Sequence, residues 1–385
     1  MRTARVSRRR FAALAGAALA APFVNLGRYA VFADSPVEYS DRAIRLVNES
    51  LVLDMLSLFD IGRMLRAAYD GADPLDFSRD DLLAFRASGI DVFHPAFGYS
   101  GPGVQLDVMG HMAAYNGLVA QYPDLLMRID SAADLDAVRH NGRIGILLGV
   151  QNSDHFETAA DVRRYYYAGQ RLSQLTYNEQ NRIAGGSTDR IDGGISRFGE
   201  AIVAAMNEVG MAVDVSHCGD RTTLDAFEIS SAPVLITHSN CRALVPGHPR
   251  CKTDEAIRKM AAGGGVMGVT AVRMFVTAHE PTTIEHYVDH IDHVVEVAGI
   301  EHAGIGTDAD LAGYDALPED LLTRLKSGYE ASYGFRDKLD IEGLDHPKKI
   351  YDITEALIRR GYGDDGIRAI LGENFRRVLG EIWVG

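Results

Sequence analysis

Three side chains in this sequence are of the types, and in the local contexts, that a hydrolytic centre needs. His217 closes the run Val213-Asp214-Val215-Ser216-His217, His238 closes Ile236-Thr237-His238, and Asp308 closes Gly304-Ile305-Gly306-Thr307-Asp308. Each run is short, apolar and rich in β-branched residues, so each reads as a strand ending in a polar group. Imidazole nitrogen and carboxylate oxygen are the ligand set of a hydrolytic Zn²⁺ site, where the ion brings the pKa of a bound water toward neutrality and polarises a carbonyl. A single strand-end histidine is ordinarily a hydrogen-bonded structural residue. The repetition of the pattern at three strand ends raises the chemical reading above that one.

Elements that converge on one mouth are needed to bring the three together. Strands are expected at 51–56, 89–94, 144–151, 172–177, 211–217, 234–238, 265–270 and 303–308, with helical patterns such as 79–88, 198–208, 222–228, 254–262 and 283–298 between them. Eight alternating units predict an α/β fold of the (β/α)₈ TIM-barrel type, with an open doubly wound sheet as the runner-up. In a barrel, the C-terminal strand ends share one mouth, which is where His217, His238 and Asp308 fall. No Gly-rich dinucleotide or phosphate-loop fingerprint follows any strand. Two further helices, 350–360 and 366–382, are expected to pack across the barrel.

The chain has 385 residues and a formal charge of −14, which argues against nucleic-acid backbone binding. With 46% hydrophobic and 24% charged residues it has the composition of a globular protein, and three cysteines exclude a disulfide scaffold. Residues 1–33 read as a signal peptide: Arg2, Arg5 and Ser7-Arg8-Arg9-Arg10-Phe11 precede an Ala-rich apolar stretch too short to span a bilayer comfortably. The Arg pair followed by Phe resembles a twin-arginine export signal, which implies recognition by that translocon, export in the folded state and a periplasmic or secreted location. Cleavage is expected before Asp34; it removes six Arg and no acid, which takes the charge to about −20. Residues 34–385 are then one domain, with no stable membrane anchor. A Cys241 to Cys251 disulfide is compatible with an oxidising compartment.

Over about residues 40–385 the sequence resembles the membrane (renal) dipeptidases of the metal-dependent amidohydrolase group. The resemblance is carried by Leu175-Thr176-Tyr177-Asn178, Phe198-Gly199, Met206-Asn207-Glu208-Val209-Gly210-Met211, Asp214-Val215-Ser216-His217, Thr237-His238-Ser239-Asn240, His248-Pro249-Arg250 and Gly304-Ile305-Gly306-Thr307-Asp308. It implies a homodimeric barrel with two Zn²⁺ ions bridged by a Glu and a water, cleaving dipeptides and tolerating a D residue on the C-terminal side. It further implies that His217 and His238 bind the second metal, that Asp308 handles the proton, and that Arg250 holds the substrate carboxylate through its planar fork.

The departures from that pattern matter as much. The His-x-Asp pair for the first metal is replaced by Leu56 and Leu58, the bridging Glu by Gln151, and a substrate-contacting His by Tyr177. A neutral amide cannot supply the charge that holds two cations close together. One Zn²⁺ on His217 and His238 is therefore expected, with Asp308 and Tyr177 as catalytic groups and Arg250, Tyr177, Asn178 and Gln151 as substrate contacts. His94 and His155 are the two histidines that could complete a different site. Asp54 is expected to be structural, as are His286, His290 and His293, whose helical spacing places them on an outer helix. The leading expectation is a metal-dependent hydrolase acting on a small carboxylate-bearing amide or dipeptide. The alternatives are elimination, isomerisation or ester cleavage on the same scaffold, and a catalytically silent binding homologue.

Overall fold

The computed structural model describes residues 28–30, 37–59, 61–70, 75–329 and 331–383. The export motif and the expected cleavage site therefore lie outside the described residues. Of the expected signal segment only Arg28–Ala30 is described, paired antiparallel with Glu38–Ser40.

Each of the eight segments read from the sequence contributes a parallel strand: Leu53–Asp54, Val92–Phe93, Ile144–Ile146 continuing as Gly149–Val150, Leu172–Gln174, Ala212–Asp214, Val234–Ser239, Met267–Val269 and Ala303–Ile305. Neighbours in sequence are neighbours in space. The last strand returns to the first through Met55 N–H to Ile305 O at 3.0 Å and Asp308 N–H to Leu56 O at 2.7 Å, and Ser57 bridges Ala309 in parallel. These contacts close the ring, so the barrel reading holds and the open sheet falls. A further parallel strand, Leu126–Arg128, pairs with the first half of the third barrel strand.

Sequence chemistry sets the helix ends closely. Thr253 accepts from Ala256 N–H at the start of Asp254–Ala262, Asp254 and Glu255 occupy its first turn, and Lys259 lies in its last. Both charge placements complement the helix dipole. Ala256, Ile257 and Met260 form its buried stripe. The C-terminal helix Asn374–Ile382 seals the end of the barrel opposite the mouth. Its Phe375, Val378 and Leu379 join Leu53, Leu172, Leu235 and Val266 in one apolar cluster. Asn374 donates to the carbonyls of Ile300 and Ala303, each at 2.7 Å. Removing a fully buried ring such as Phe375 costs about 3–5 kcal/mol, so this plug is a large share of the stability.

The mouth is covered by the segment between the last strand and the helix Lys349–Arg359, which includes the helix Glu319–Ser327 and the turn Ala331–Tyr333. Paired aspartates pin its two ends together. Asp340 accepts from Tyr314 N–H and Asp315 N–H, and Asp315 accepts from Leu339 N–H and Asp340 N–H.

All three cysteines are free and buried, so the Cys241 to Cys251 disulfide is not formed. Cys241 Sγ faces His290 O and Cys251 Sγ faces Phe275 O, each at 3.6 Å. His290 is itself fully buried, between Cys241 N–H and Val276 O; His293 pairs with Asp254 and His286 caps its own helix at Thr283. The three are structural as expected, although His290 lies in the core rather than on a solvated face. Among the described residues no helix is long and apolar enough to cross a membrane.

Candidate active site

Asp214, a strand-end carboxylate, organises the metal-type histidines without touching them. It accepts from Ser216 N–H and Oγ–H at 3.0 and 2.6 Å and from Thr237 N–H and Oγ1–H at 3.1 and 2.7 Å. This locks two adjacent strand ends at a common height. His217 and His238 then meet with their Nε2 atoms 2.9 Å apart.

The partners of the other ring nitrogens fix the tautomers. His217 Nδ1 lies 2.7 Å from Asn178 Oδ1, an atom that only accepts, so Nδ1 carries the proton. His238 Nδ1 lies 2.8 Å from Thr237 Oγ1, whose own proton goes to Asp214, so this Nδ1 also donates. Both Nε2 atoms are left as bare lone pairs pointing at one another in a buried site. Burial, followed by the Arg250 cation, holds both imidazoles well below their usual pKa. Two opposed lone pairs at this distance are satisfied by one positive charge between them, a shared proton or a bound cation. The pair offers two imidazole nitrogens to a single ion. Two ions are not provided for, since Leu56 and Leu58 are buried apolar groups and Gln151 is neutral; among the described residues no cluster of three or more His, Cys, Asp or Glu is placed to hold a metal, so a single ion too would rest on the two imidazoles.

Asp308 and Asn178 are the only non-glycine residues with positive φ among those described, at 52° and 62°. Backbone strain of this kind concentrates at functional sites. Asp308 stands on the wall of a cavity of about 80 Å³ at the barrel mouth. Burial, opposed by Arg250 and reinforced by Asp54, pushes its carboxyl up to about 7, and Tyr314 hydrogen-bonds to it. A carboxyl at that value is matched to proton transfer near neutral pH. Gln151 and Tyr177 line the same cavity. Gln151 Nε2 donates to Ala96 O at 2.7 Å, which leaves its Oε1 as the acceptor on offer. Tyr177 stacks on His217 with centroids 4.2 Å apart, and its hydroxyl meets that of Tyr329 at 2.8 Å, so this ring stands between the cavity and the histidine pair.

The remaining expected contacts are placed differently. Asn178 orients His217 and borders an outer, more polar cavity with Glu179 and Thr188. Arg250 is 1% exposed: its guanidinium donates to Ser216 O, to His238 O at 3.3 Å and to Tyr333 Oη at 3.4 Å, so it lies behind Tyr333 rather than in the cavity wall. His155 has both nitrogens engaged, by Asn152 O and Gln170 Oε1, and completes no site. His94 donates from Nδ1 to Met55 O, and its buried Nε2 has no hydrogen-bond partner. Asp54 is structural: it accepts from Thr307 N–H and Oγ1–H at 2.7 and 2.5 Å across the closing seam, and burial pushes its carboxyl up to about 6. Sequence reasoning missed Tyr314, Tyr329, Tyr333 and Phe335. The signal for the last three was the density of aromatics at 329–335 in a stretch with no strand or helix period, and Tyr314 carried none.

Comparison with known proteins agrees with this architecture. The family model for membrane dipeptidase (peptidase family M19) matches residues 86–325, more than half of the chain. The dipeptidase verJ of Clonostachys rogersoniana is 32% identical over 268 residues, covering 69% of this chain and 62% of that protein. An uncharacterized dipeptidase of Schizosaccharomyces pombe is 36% identical over 224 residues, covering 55% of this chain and 52% of its own length. The chain thus spans less than two thirds of the curated relatives it matches. Among solved structures, an amidohydrolase from Pseudomonas aeruginosa superposes with a TM-score of 0.76 at 29% identity, covering 89% of this chain and 99% of that one. The probable dipeptidase PvdM from the same organism shares the fold at 20% identity and a TM-score of 0.72, over 89% and 97% of the two chains. On the family match and on its own barrel, the chain belongs to the membrane dipeptidase family, peptidase family M19.

Proposed function

We propose that the protein hydrolyses a small amide, a dipeptide being the simplest case, with one divalent cation held by His217 and His238. The observation that carries this reading is the pair of bare Nε2 atoms facing each other at 2.9 Å, beside a cavity whose wall bears Asp308. When bound, such an ion supplies Lewis-acid polarisation of a carbonyl and activation of water.

The chain's own groups do the rest. Asp308 accepts the proton of the attacking water and returns it to the leaving nitrogen, a duty suited to a carboxyl pushed up to about 7. Asn178 keeps His217 in the tautomer that leaves Nε2 free. Gln151 Oε1 accepts from a substrate N–H. Tyr177 acts as a shutter: breaking its bond to Tyr329 costs about 0.5–1.5 kcal/mol and lets the ring leave the face of His217, after which its hydroxyl is free to donate to the substrate. Arg250 steadies the two strand ends through the Ser216 and His238 carbonyls.

Elemental analysis after reconstitution with Zn²⁺ and mild dialysis tests the reading, together with hydrolysis of a dipeptide panel. One ion per chain, lost in His217→Ala along with turnover, is expected. Two tightly held ions, or none, would overturn it.

A further inference from the structure

We infer that the inner cavity binds an aromatic side chain of the substrate, in space lined by the residues that depart from the dipeptidase pattern. This rests on the hydrolase reading for the word substrate. Leu58, Gln151 and Tyr177 stand at positions where the family resemblance calls for charged or metal-binding groups, and all three line one cavity of about 80 Å³. Its other walls are mostly rings and aliphatic chains, and Asp308 is the single carboxyl among the described residues that line it. An apolar lining with a few placed polar groups is the usual build of a ligand site.

The rings are organised before any ligand arrives. Tyr329 and Tyr333 stack at 4.8 Å, Phe335 meets them at 5.2 and 5.3 Å, and Phe275 meets Tyr333 edge-on at 5.1 Å. The phenolic hydroxyls are already engaged with partners. Tyr177 and Tyr329 bond to each other, Tyr333 Oη accepts from Arg250, and Tyr314 serves Asp308. The ring faces and edges are left for the occupant, and aromatic pairs in offset or edge-to-face contact attract beyond their buried area. That favours an aromatic group over an aliphatic one of equal size. The outer cavity, which shares Gly98, Tyr177, Leu325 and Tyr329 with the inner one and adds Asn178, Glu179 and Thr188, suits the polar part of the same molecule.

Isothermal titration of the purified protein with propionamide, 3-cyclohexylpropionamide and 3-phenylpropionamide tests this without requiring turnover. The phenyl compound is expected to bind about 10- to 100-fold more tightly than propionamide, and several-fold more tightly than the cyclohexyl compound. Leu58→Asp, and separately Phe335→Ala in case the first variant fails to fold, should reduce the phenyl advantage to about threefold or less. Equal affinity for phenyl and propionamide would overturn the inference, and so would equal affinity for phenyl and cyclohexyl. Turnover separates its failure from failure of the hydrolase reading. Equal cleavage of Gly–Gly and Gly–Phe with indifferent fragments removes the aromatic subsite alone, whereas selective fragments with no dipeptide cleaved removes the hydrolase assignment alone.

Discussion

Asp308→Asn is the substitution that separates a proton-transfer role from a structural one, because the backbone there permits an isosteric exchange. At φ 52° few side chains are tolerated, and Asn is among those that adopt this region readily. If Asp308 moves the proton, its loss should lower kcat by about 10²- to 10⁴-fold, equivalent to about 2.7–5.4 kcal/mol of transition-state stabilisation. If it only orders Tyr314, the exchange costs one hydrogen bond, about 0.5–1.5 kcal/mol, and at most about tenfold in rate. The pH profile gives a second reading. Burial pushes the carboxyl up to about 7, so kcat/KM of the native enzyme should fall tenfold per pH unit below about 7, and that limb should be missing in the variant. Stability runs in the opposite sense to the usual carboxylate case. The fold favours the protonated form, so stability is lost as pH rises from the ordinary carboxylate range through about 7. The variant escapes that loss, and its Tm relative to the native protein should rise between pH 5 and 8. Initial rates at saturating Zn²⁺ on a cleaved dipeptide, with parallel thermal melts, decide the matter. Turnover within tenfold of normal, or an acid limb that survives the substitution, would refute the proton-transfer role.

Three further outcomes are expected. Gly149→Ala places a Cβ 2.2 Å from His94 Nε2 and 3.1 Å from Leu172 O, so it should cost about 1–3 kcal/mol in chemical denaturation, and an unchanged midpoint would mean that His94 yields freely. In Gly98→Ala the new Cβ lies 2.5 Å from the Tyr177 ring, which should drive that ring off His217 and break its bond to Tyr329; a crystal structure of the variant with the 2.8 Å contact intact would refute the account of Tyr177 as a movable shutter. We also propose export in the folded state, so replacing Arg8 and Arg9 with Lys should leave precursor in the cytoplasm on fractionation, and unimpaired export would defeat the twin-arginine assignment.

The barrel was legible because its strands are buried on both faces. Such strands read as continuous apolar runs rather than as alternation, and Ile144 to Val150, Val234 to Ile236 and Ala303 to Ile305 all do so. Helix limits were legible where a cap and a charge bias agree, as at Thr253 and Lys259. The strand Leu126–Arg128 was missed because its three residues carry no period, and it exists only through pairing with the third barrel strand. The Cys241 to Cys251 pairing went astray for a similar reason. Two thiols ten residues apart in one loop suggest a bridge, but each is drawn to a different carbonyl by packing that sequence spacing does not encode.

At the site, strand-end identity located His217, His238 and Asp308, yet it could not say which way a long side chain would turn. Arg250 shows the limit. Its type suits a substrate carboxylate, and its position in the chain is correct for that task. The carbonyls of Ser216 and His238 nonetheless converge behind Tyr333 and take up part of its fork, because a buried guanidinium must satisfy its donors wherever acceptors lie. The ring that hides it comes from 331–333, a short turn in a segment whose fold is set by two aspartates pinning its ends. Nothing periodic marks such a segment, and it supplies most of the rings around Asp308. The strand ends therefore place the chemistry, while the covering segment sets what can approach it. Substitutions at Tyr329, Tyr333 and Phe335 should alter substrate choice with little effect on ion content, whereas substitutions at His217 and His238 should remove the ion and turnover together.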